Sequence, residues 1–307
     1  MIKNILALGA GTMGSQASFY YAMNGCNVIQ YDISDEALED CKGHHRDYVS
    51  AYRAARPSVT NEEIEAGLAR IRYSSDLESA AKSADLVTES VPEVLEIKQR
   101  IYTDLNRFCP DDTIFTTNTS TLPPSAIAPS TGRPERFLAL HYAMGIWDSP
   151  IGEVMKHAGT DDAVFDRVVR FVKDTGLVPI KIEKEQPGYI INTLLLPWMN
   201  AALSLVVNGV SSYQDVDRTW MICNGGTSPG PFGVLDQVGF EVARNVSRLQ
   251  AAAEPDNPQH RKHIEYLEEH FINKGFTGAL SGRGFYSYPN PEYLEPDFLK
   301  PTEEHEA

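Results

Sequence analysis

The sequence predicts an α/β protein in two parts: a doubly wound, mostly parallel sheet over residues 1–185, then an all-helical domain over 186–307. Three observations predict it. Short apolar runs alternate with helical-period segments through the first part, an order that builds parallel sheets with helices on both faces. A glycine-rich turn, GAGTMG, follows the first apolar run at once. After Gln186–Pro187–Gly188 the alternation stops, and long helical segments follow, broken by glycine, proline and asparagine.

Residues 3–8 (KNILAL) suit a buried parallel strand. SQASFYYAMNG reads as a helix stopped by Gly25, and NVIQYD (27–32) as the second strand. A helical insertion occupies 35–72, ahead of the third strand. DLVTESV (85–91), TIFTTN (113–118), RFLALH (136–141) and LVPIKI (177–182) supply later strands, and SPIGEVM can return beside RFLALH as a neighbour. Between them EVLEIKQRIYTDLNRF and TDDAVFDRVVRFVKDTG read as helices. In the second part YIINTLLLPWMNAALSLVVNG, VSSYQDVDRTWMICNG, FGVLDQVGFEVARNVSRLQ and PQHRKHIEYLEEHFINKG read as helices. The first of them is apolar on most sides, which predicts burial on several faces by the first domain, a dimer partner, or both. The tail after about residue 290 is proline-rich and acidic and is expected to be loosely held.

A formal net charge of -15 argues against a nucleic-acid partner, because phosphate backbones attract basic surfaces. Cys26, Cys41, Cys109 and Cys223 lie far apart with no metal-ligand spacing, as expected of free thiols in a reducing cytoplasm. The apolar start is too short for a signal peptide, and no segment is expected to approach the length of a membrane span. These readings predict a cytoplasmic chain without a membrane partner.

Gly9, Gly11 and Gly14 form GxGxxG between a strand and a helix, with Thr12 and Met13 completing the turn. The first glycine permits the tight turn, the second lets a pyrophosphate approach, and the third allows close helix–strand packing; the helix N-terminus then offers free N–H groups. Asp32 ends the second strand eighteen residues past Gly14, where a carboxylate accepts both ribose hydroxyls. That acid repels a 2′-phosphate, and Ile33–Ser34–Asp35 provides no arginine to bind one, so the expected cofactor of this Rossmann-type domain is NAD. Glu93 and Lys98 follow the fourth strand, where they border the nicotinamide ribose or serve as a capping acid and a solvated helix lysine.

A nicotinamide enzyme that oxidises an alcohol needs a base for the hydroxyl proton, and histidine suits neutral pH. His141 closes an apolar strand at the carboxyl edge of the sheet, where open α/β sheets bind ligands. Glu153, on the next short segment, can hold one ring nitrogen and fix the tautomer. Ser120 follows another strand at the same edge, and Asn192 begins the long apolar helix; both are candidates for a substrate oxygen. Locally, Asn118 and Ser120 can equally cap a turn, and Asn192 can bond backbone.

GAGTMG, VPEVLEIK, TNTS, the His141-to-Glu153 interval, PGYIIN, GPFGVLD and GRGFY stand in an order that resembles the L-3-hydroxyacyl-CoA dehydrogenase family, of the 3-hydroxybutyryl-CoA dehydrogenase kind. The resemblance implies that His141 is the general acid/base paired with Glu153, that Ser120 and Asn192 contact substrate, and that Glu93, Lys98 and Asn118 lie with the cofactor residues. It also implies a homodimer through the helical domain. One departure stands out: family members commonly carry asparagine-proline three and four residues after the histidine, and here those positions are Met144 and Gly145. Lys42, Arg46, Arg53 and Arg56 share one helical face of the insertion, which the family uses for the phosphates of CoA; the other reading is a solvated face pairing with Asp40 and Asp47. The expected function is NAD-dependent interconversion of a 3-hydroxyacyl-CoA and its 3-oxo form. A dehydrogenase of a free 3-hydroxy acid, of carnitine or gulonate type, is the nearest alternative, and a non-catalytic NAD-binding protein the third.

Overall fold

The computed structural model describes residues 2–300 of the chain. Its contacts separate two compact units, one ending at Thr193 and one beginning at Leu194.

The first unit is built on one sheet. β1 (Asn4–Leu8), α1 (Thr12–Met23) and β2 (Asn27–Tyr31) lead to two insertion helices, α2 (Asp35–Ala55) and α3 (Asn61–Leu68), and then to β3 (Ile71–Ser74). α4 (Leu77–Ala81), β4 (Leu86–Glu89), α5 (Leu95–Phe108), β5 (Ile114–Thr117), α6 (Pro124–Ile127) and β6 (Phe137–Tyr142) continue the alternation. β7 (Ile151–Met155), α7 (Asp162–Asp174) and β8 (Val178–Ile182) complete it. The strand order is β3-β2-β1-β4-β5-β6-β7-β8. β1 to β6 are mutually parallel, β7 runs antiparallel to β6, and β8 is parallel to β7.

Period-two alternation sends neighbouring strand residues to opposite faces. Ile5, Ala7, Leu138 and Leu140 pack with Phe19 of α1 and Phe165 and Phe171 of α7. Leu6, Leu8, Phe115 and Phe137 pack with Tyr102 and Leu105 of α5. Both faces are therefore covered, which is why these strands read as continuous apolar runs. The chain order reverses between β1 and β4, and that switch opens a crevice at the carboxyl ends of the strands.

The second unit takes up helix α8 (Tyr189–Val207) from Leu194 onward, with α9 (Tyr213–Cys223), α10 (Pro231–Val238), α11 (Phe240–Ala253) and α12 (Gln259–His270). Two buried carboxylates join its segments. Asp217 accepts from the N–H groups of Phe232 and Gly233 and from the Tyr286 hydroxyl. Asp236 accepts from the N–H groups of Phe285 and Tyr286 and from the Tyr288 hydroxyl. The GPFGVLD and GRGFY motifs are thus two halves of one junction: a Cβ on Gly284 would stand 2.1 Å from the Asp236 carboxylate.

The first turn of α8 goes with the sheet in the division after Thr193, and there Tyr189 packs with Ala139, Met155 and Ile182. Several expectations are corrected. FGVLDQVGFEVARNVSRLQ is two helices, since Gly239 takes φ 88° between them. Arg56 lies beyond the last turn of α2. The tail is not loose as far as it is described: Tyr293 and Phe298 are buried, and the Arg218 Nε donates to the Phe298 carbonyl at 2.7 Å. Residues 301–307 of that tail lie outside the described residues. By length and composition α8 reaches what a membrane span requires, contrary to the expectation that no segment does. Within one chain Ile190, Leu194 and Leu205 of α8 are exposed.

Asp236→Ala leaves two buried N–H groups without acceptors and is expected to cost roughly 2–4 kcal/mol, read by urea unfolding. Burial pushes Asp217 and Asp236 up to about 6, against the pull of their hydrogen-bond donors. Between the ordinary aspartate range and about 6 the folded state then holds more protons than the unfolded one, so these groups lower stability as pH rises through that window. The difference in unfolding free energy between the parent and Asp236→Asn should therefore vary from pH 4 to pH 6 and level off above about pH 6.5.

Candidate active site

β1 delivers the chain to the glycine turn at the mouth of the crevice. Gly9 adopts φ 90° and donates its N–H to the Tyr31 carbonyl at 2.9 Å. A Cβ on Gly14 would lie 1.9 Å from the Gly9 carbonyl oxygen, so only hydrogen fits there; one on Gly11 would meet nothing within 4 Å. α1 has no side-chain cap, and its first helical bond runs from Ser15 N to Gly11 O. The N–H groups of Thr12, Met13 and Gly14 therefore precede the helical ladder and face the approach past Gly11. Asp32 accepts from Ala10 N at 2.8 Å and from Ser34 N at 3.0 Å, so the carboxylate also shapes the turn. An open cradle at Gly11, an uncapped helix and a fixed acid at the end of β2 fit a dinucleotide.

Antiparallel register sets His141 of β6 directly opposite Glu153 of β7. The ring Nδ1 lies 2.9 Å from Glu153 Oε2, and Glu153 is fully buried. Its other oxygen, Oε1, accepts from the N–H groups of Ile190 and Ile191, each at 2.9 Å. A carboxylate so placed is an acceptor, which makes Nδ1 the donor and leaves the lone pair on Nε2. Ser120 Oγ lies 3.2 Å from that Nε2. Tyr189 stacks on the imidazole, with centroids 4.4 Å apart and planes 15° apart. Asn192 occupies the next position after Ile191 in the first turn of α8.

The serine is held by a second acid. Glu93 Oε1 accepts from Ser120 N and Thr121 N at 3.0 Å each, and from the Thr119 and Thr121 hydroxyls. Burial would raise the Glu93 carboxyl, but the Thr119 hydrogen bond, the Lys98 charge and the Thr121 donors outweigh it and hold it below the usual range. Lys98 corrects the reading of a solvated helix lysine. It is buried, and its ammonium meets Glu89 at 2.6 Å, the Val91 carbonyl at 3.3 Å and Glu93 at 3.3 Å. Asn118 ties three strand ends, donating to Ser90 Oγ and accepting from Tyr142 N.

The Met144–Gly145 departure has a structural partner. Gly145, at φ 72°, donates its N–H to Gln16 Oε1 of α1 at 2.9 Å, a bond that proline has no hydrogen to make. Met144 is exposed, while Trp147 packs against Tyr48 of α2. The basic stripe on the insertion is largely engaged within its own fold. Lys42 pairs with Glu39 rather than Asp40 or Asp47, and Arg53 donates to Asn61. Arg56 turns onto Tyr20 and Tyr52. Arg46 is exposed and makes no ion pair among the described residues.

Glu89, Gln16 and Tyr189 went unread in the sequence. An acid inside the apolar run DLVTESV was a signal for Glu89; Tyr189 stood within PGYIIN, where attention fell on the asparagine. NADH should bind at least tenfold more tightly than NADPH in a fluorescence titration, a difference of about 1.4 kcal/mol, and Asp32→Ser should narrow the ratio.

Comparisons with known proteins identify the family. Residues 4–186 match the model of the 3-hydroxyacyl-CoA dehydrogenase NAD binding domain, and residues 188–288 that of the 3-hydroxyacyl-CoA dehydrogenase C-terminal domain. The chain is 31% identical to the mitochondrial hydroxyacyl-coenzyme A dehydrogenase of Homo sapiens over 292 residues, covering 94% of this chain and 92% of that one. It is 27% identical to the 5-formyl-3-hydroxy-2-methylpyridine 4-carboxylate 5-dehydrogenase of Mesorhizobium japonicum, covering 94% and 91%. A solved diketoreductase, described as acting on dicarbonyl compounds, superposes with a TM-score of 0.85 at 41% identity, covering 94% and 99%. The chain belongs to the 3-hydroxyacyl-CoA dehydrogenase family of NAD-dependent oxidoreductases.

Proposed function

We propose that this chain interconverts a 3-hydroxyacyl group and its 3-oxo form, with His141 as general acid/base and Glu153 as its fixed partner. The observation that carries the reading is the division of the Glu153 carboxylate between His141 Nδ1 and two amide N–H groups, which leaves Nε2 facing Ser120. NAD held at the glycine turn, by Asp32 and the N–H groups of Thr12, Met13 and Gly14, supplies the hydride acceptor. In the oxidative direction His141 Nε2 takes the hydroxyl proton, and the resulting imidazolium is balanced by buried Glu153. Ser120 orients the oxygen at the position where it now meets Nε2, and Asn192 offers a second hydrogen-bonding group. A non-catalytic role fits poorly with a base, an acid and a serine kept in hydrogen-bonding order.

A CoA thioester is the substrate reading that family membership and the exposed Arg46 support, and on that reading the chain acts in fatty acid metabolism. The second reading is a free 3-oxo acid or another dicarbonyl compound. It is favoured by the engagement of Lys42, Arg53 and Arg56 within the fold, by Gly145 bonding Gln16, and by the 41% likeness to the diketoreductase. We further propose a homodimer, on the strength of the exposed apolar side chains Leu205, Ile222, Val242 and Leu249 in the helical unit, and a cytoplasmic location with no membrane or nucleic-acid partner.

NADH consumption with acetoacetyl-CoA, and in parallel with free acetoacetate and a dicarbonyl compound without CoA, tests the reading. His141→Ala should lower kcat by roughly 10²–10⁴ on whichever substrate is turned over. An equal rate in that variant removes His141 from the chemistry. Replacing Arg46, Arg53 and Arg56 together by alanine should raise KM about tenfold or more for the thioester alone, a loss of about 1.4 kcal/mol. An unchanged KM points to the substrate without CoA.

A further inference from the structure

We propose that Tyr189 is a positioning residue that holds the proton-transfer pair at both ends, its ring lying against His141 and its backbone turning the first N–H groups of α8 onto Glu153. The inference rests on the reading of His141 as the general base.

Tyr189 is the non-glycine residue with positive φ among the described residues, at 54°. A left-handed conformation is free of steric cost for glycine, and the chain already places Gly188, at φ 82°, one position earlier. Tyrosine at such a place implies that its side chain does something glycine cannot. The ring is buried and lies nearly parallel to the imidazole. Its hydroxyl has no hydrogen-bond partner among the described residues, so the aromatic face is the part in use. When His141 is protonated, that face meets a cation, and the electron-rich ring attracts it. The left-handed turn also starts α8 at the angle that sends the N–H groups of Ile190 and Ile191 to Glu153 Oε1. With that oxygen fixed, Oε2 cannot swing away from the imidazole.

The groups that face His141 are Glu153 from β7, Ser120 from the segment after β5, and Tyr189 from the start of α8. Around Tyr189 itself stand Glu93, Glu153, Glu89 and Glu185; burial first, then these charges, push its phenol well above the ordinary tyrosine range. The ring therefore stays neutral through the working pH.

The test is an NMR titration of the histidine side chains in the full-length protein, with the His141 resonance assigned by its loss in His141→Gln. Tyr189→Leu keeps an apolar group over the imidazole but removes the π face, and is expected to lower the His141 midpoint by about half a pH unit. Tyr189→Phe keeps the ring and should titrate as the parent does. An unchanged or raised midpoint in Tyr189→Leu overturns the proposal, and so does a Tyr189→Phe that departs from the parent, because the hydroxyl would then be the active part. If Tyr189→Leu does not fold, Tyr189→Phe remains decisive on that second count. On a substrate the parent reduces, Tyr189→Leu should lower kcat about tenfold with KM within threefold, and move the acid limb of the pH–rate profile downward in the oxidative direction. A parent that turns over no 3-oxo substrate counts against the proposed function, while the titration still decides the role of Tyr189.

Discussion

A carboxylate with no exposure to water must be paired on every side, because an unpaired buried charge costs several kcal/mol. Glu153 meets that condition with two kinds of partner, an imidazole on one oxygen and two backbone amides on the other. The amides belong to the start of a helix, where unpaired N–H groups and the helix dipole favour an anion. This one constraint explains local features that otherwise look arbitrary. β7 must run against the direction of β6 to set residue 153 opposite residue 141. The chain must return after β8 so that Ile190 and Ile191 arrive over the same carboxylate, and Tyr189 must bend backward to begin the helix there.

The same device recurs at other junctions of this acidic chain. Glu89 lies in the middle of the sheet, fully buried, and pairs with Lys98, which in turn steadies Glu93 over the 119–121 turn. Ser120 is thus placed by a relay of charges that begins in β4. In the second unit Asp217 and Asp236 gather the backbone around Phe232 and Phe285. Many of the acids behind the net charge of -15 are exposed, but these few act as internal anchors. The difference between them is whether backbone or side-chain donors converge on the carboxylate.

Much of the arrangement was legible beforehand, for physical reasons particular to each part. Strands buried on both faces are apolar throughout and stand out as KNILAL or RFLALH do. The glycines at 9 and 14 are read easily because close backbone approach admits nothing larger. Other features were misread where local pattern and tertiary environment disagree. Lys98 sits at a helical position that looks solvated, yet the helix presents it to Glu89. The acidic, proline-rich tail looks loose, yet two aromatic side chains at Tyr293 and Phe298 fasten it. Arg56 follows the spacing of the basic stripe but lies past the end of α2, where the helical period no longer applies.

What the sequence alone determined is the set of local, periodic and steric facts: which runs become strands, where the glycine turn falls, which acid follows β2, and that a histidine near the end of β6 stands twelve residues ahead of a glutamate. These follow from the chain's immediate neighbours, so no distant contact is needed to read them. Only the tertiary structure decided which charges meet. The antiparallel turn of β7, the second pair of donors on Glu153, the capture of Lys98 and the stacking of Tyr189 all join residues on different elements. Such pairings are selected by the cost of leaving a buried charge alone, and that cost exists only once the fold has excluded water.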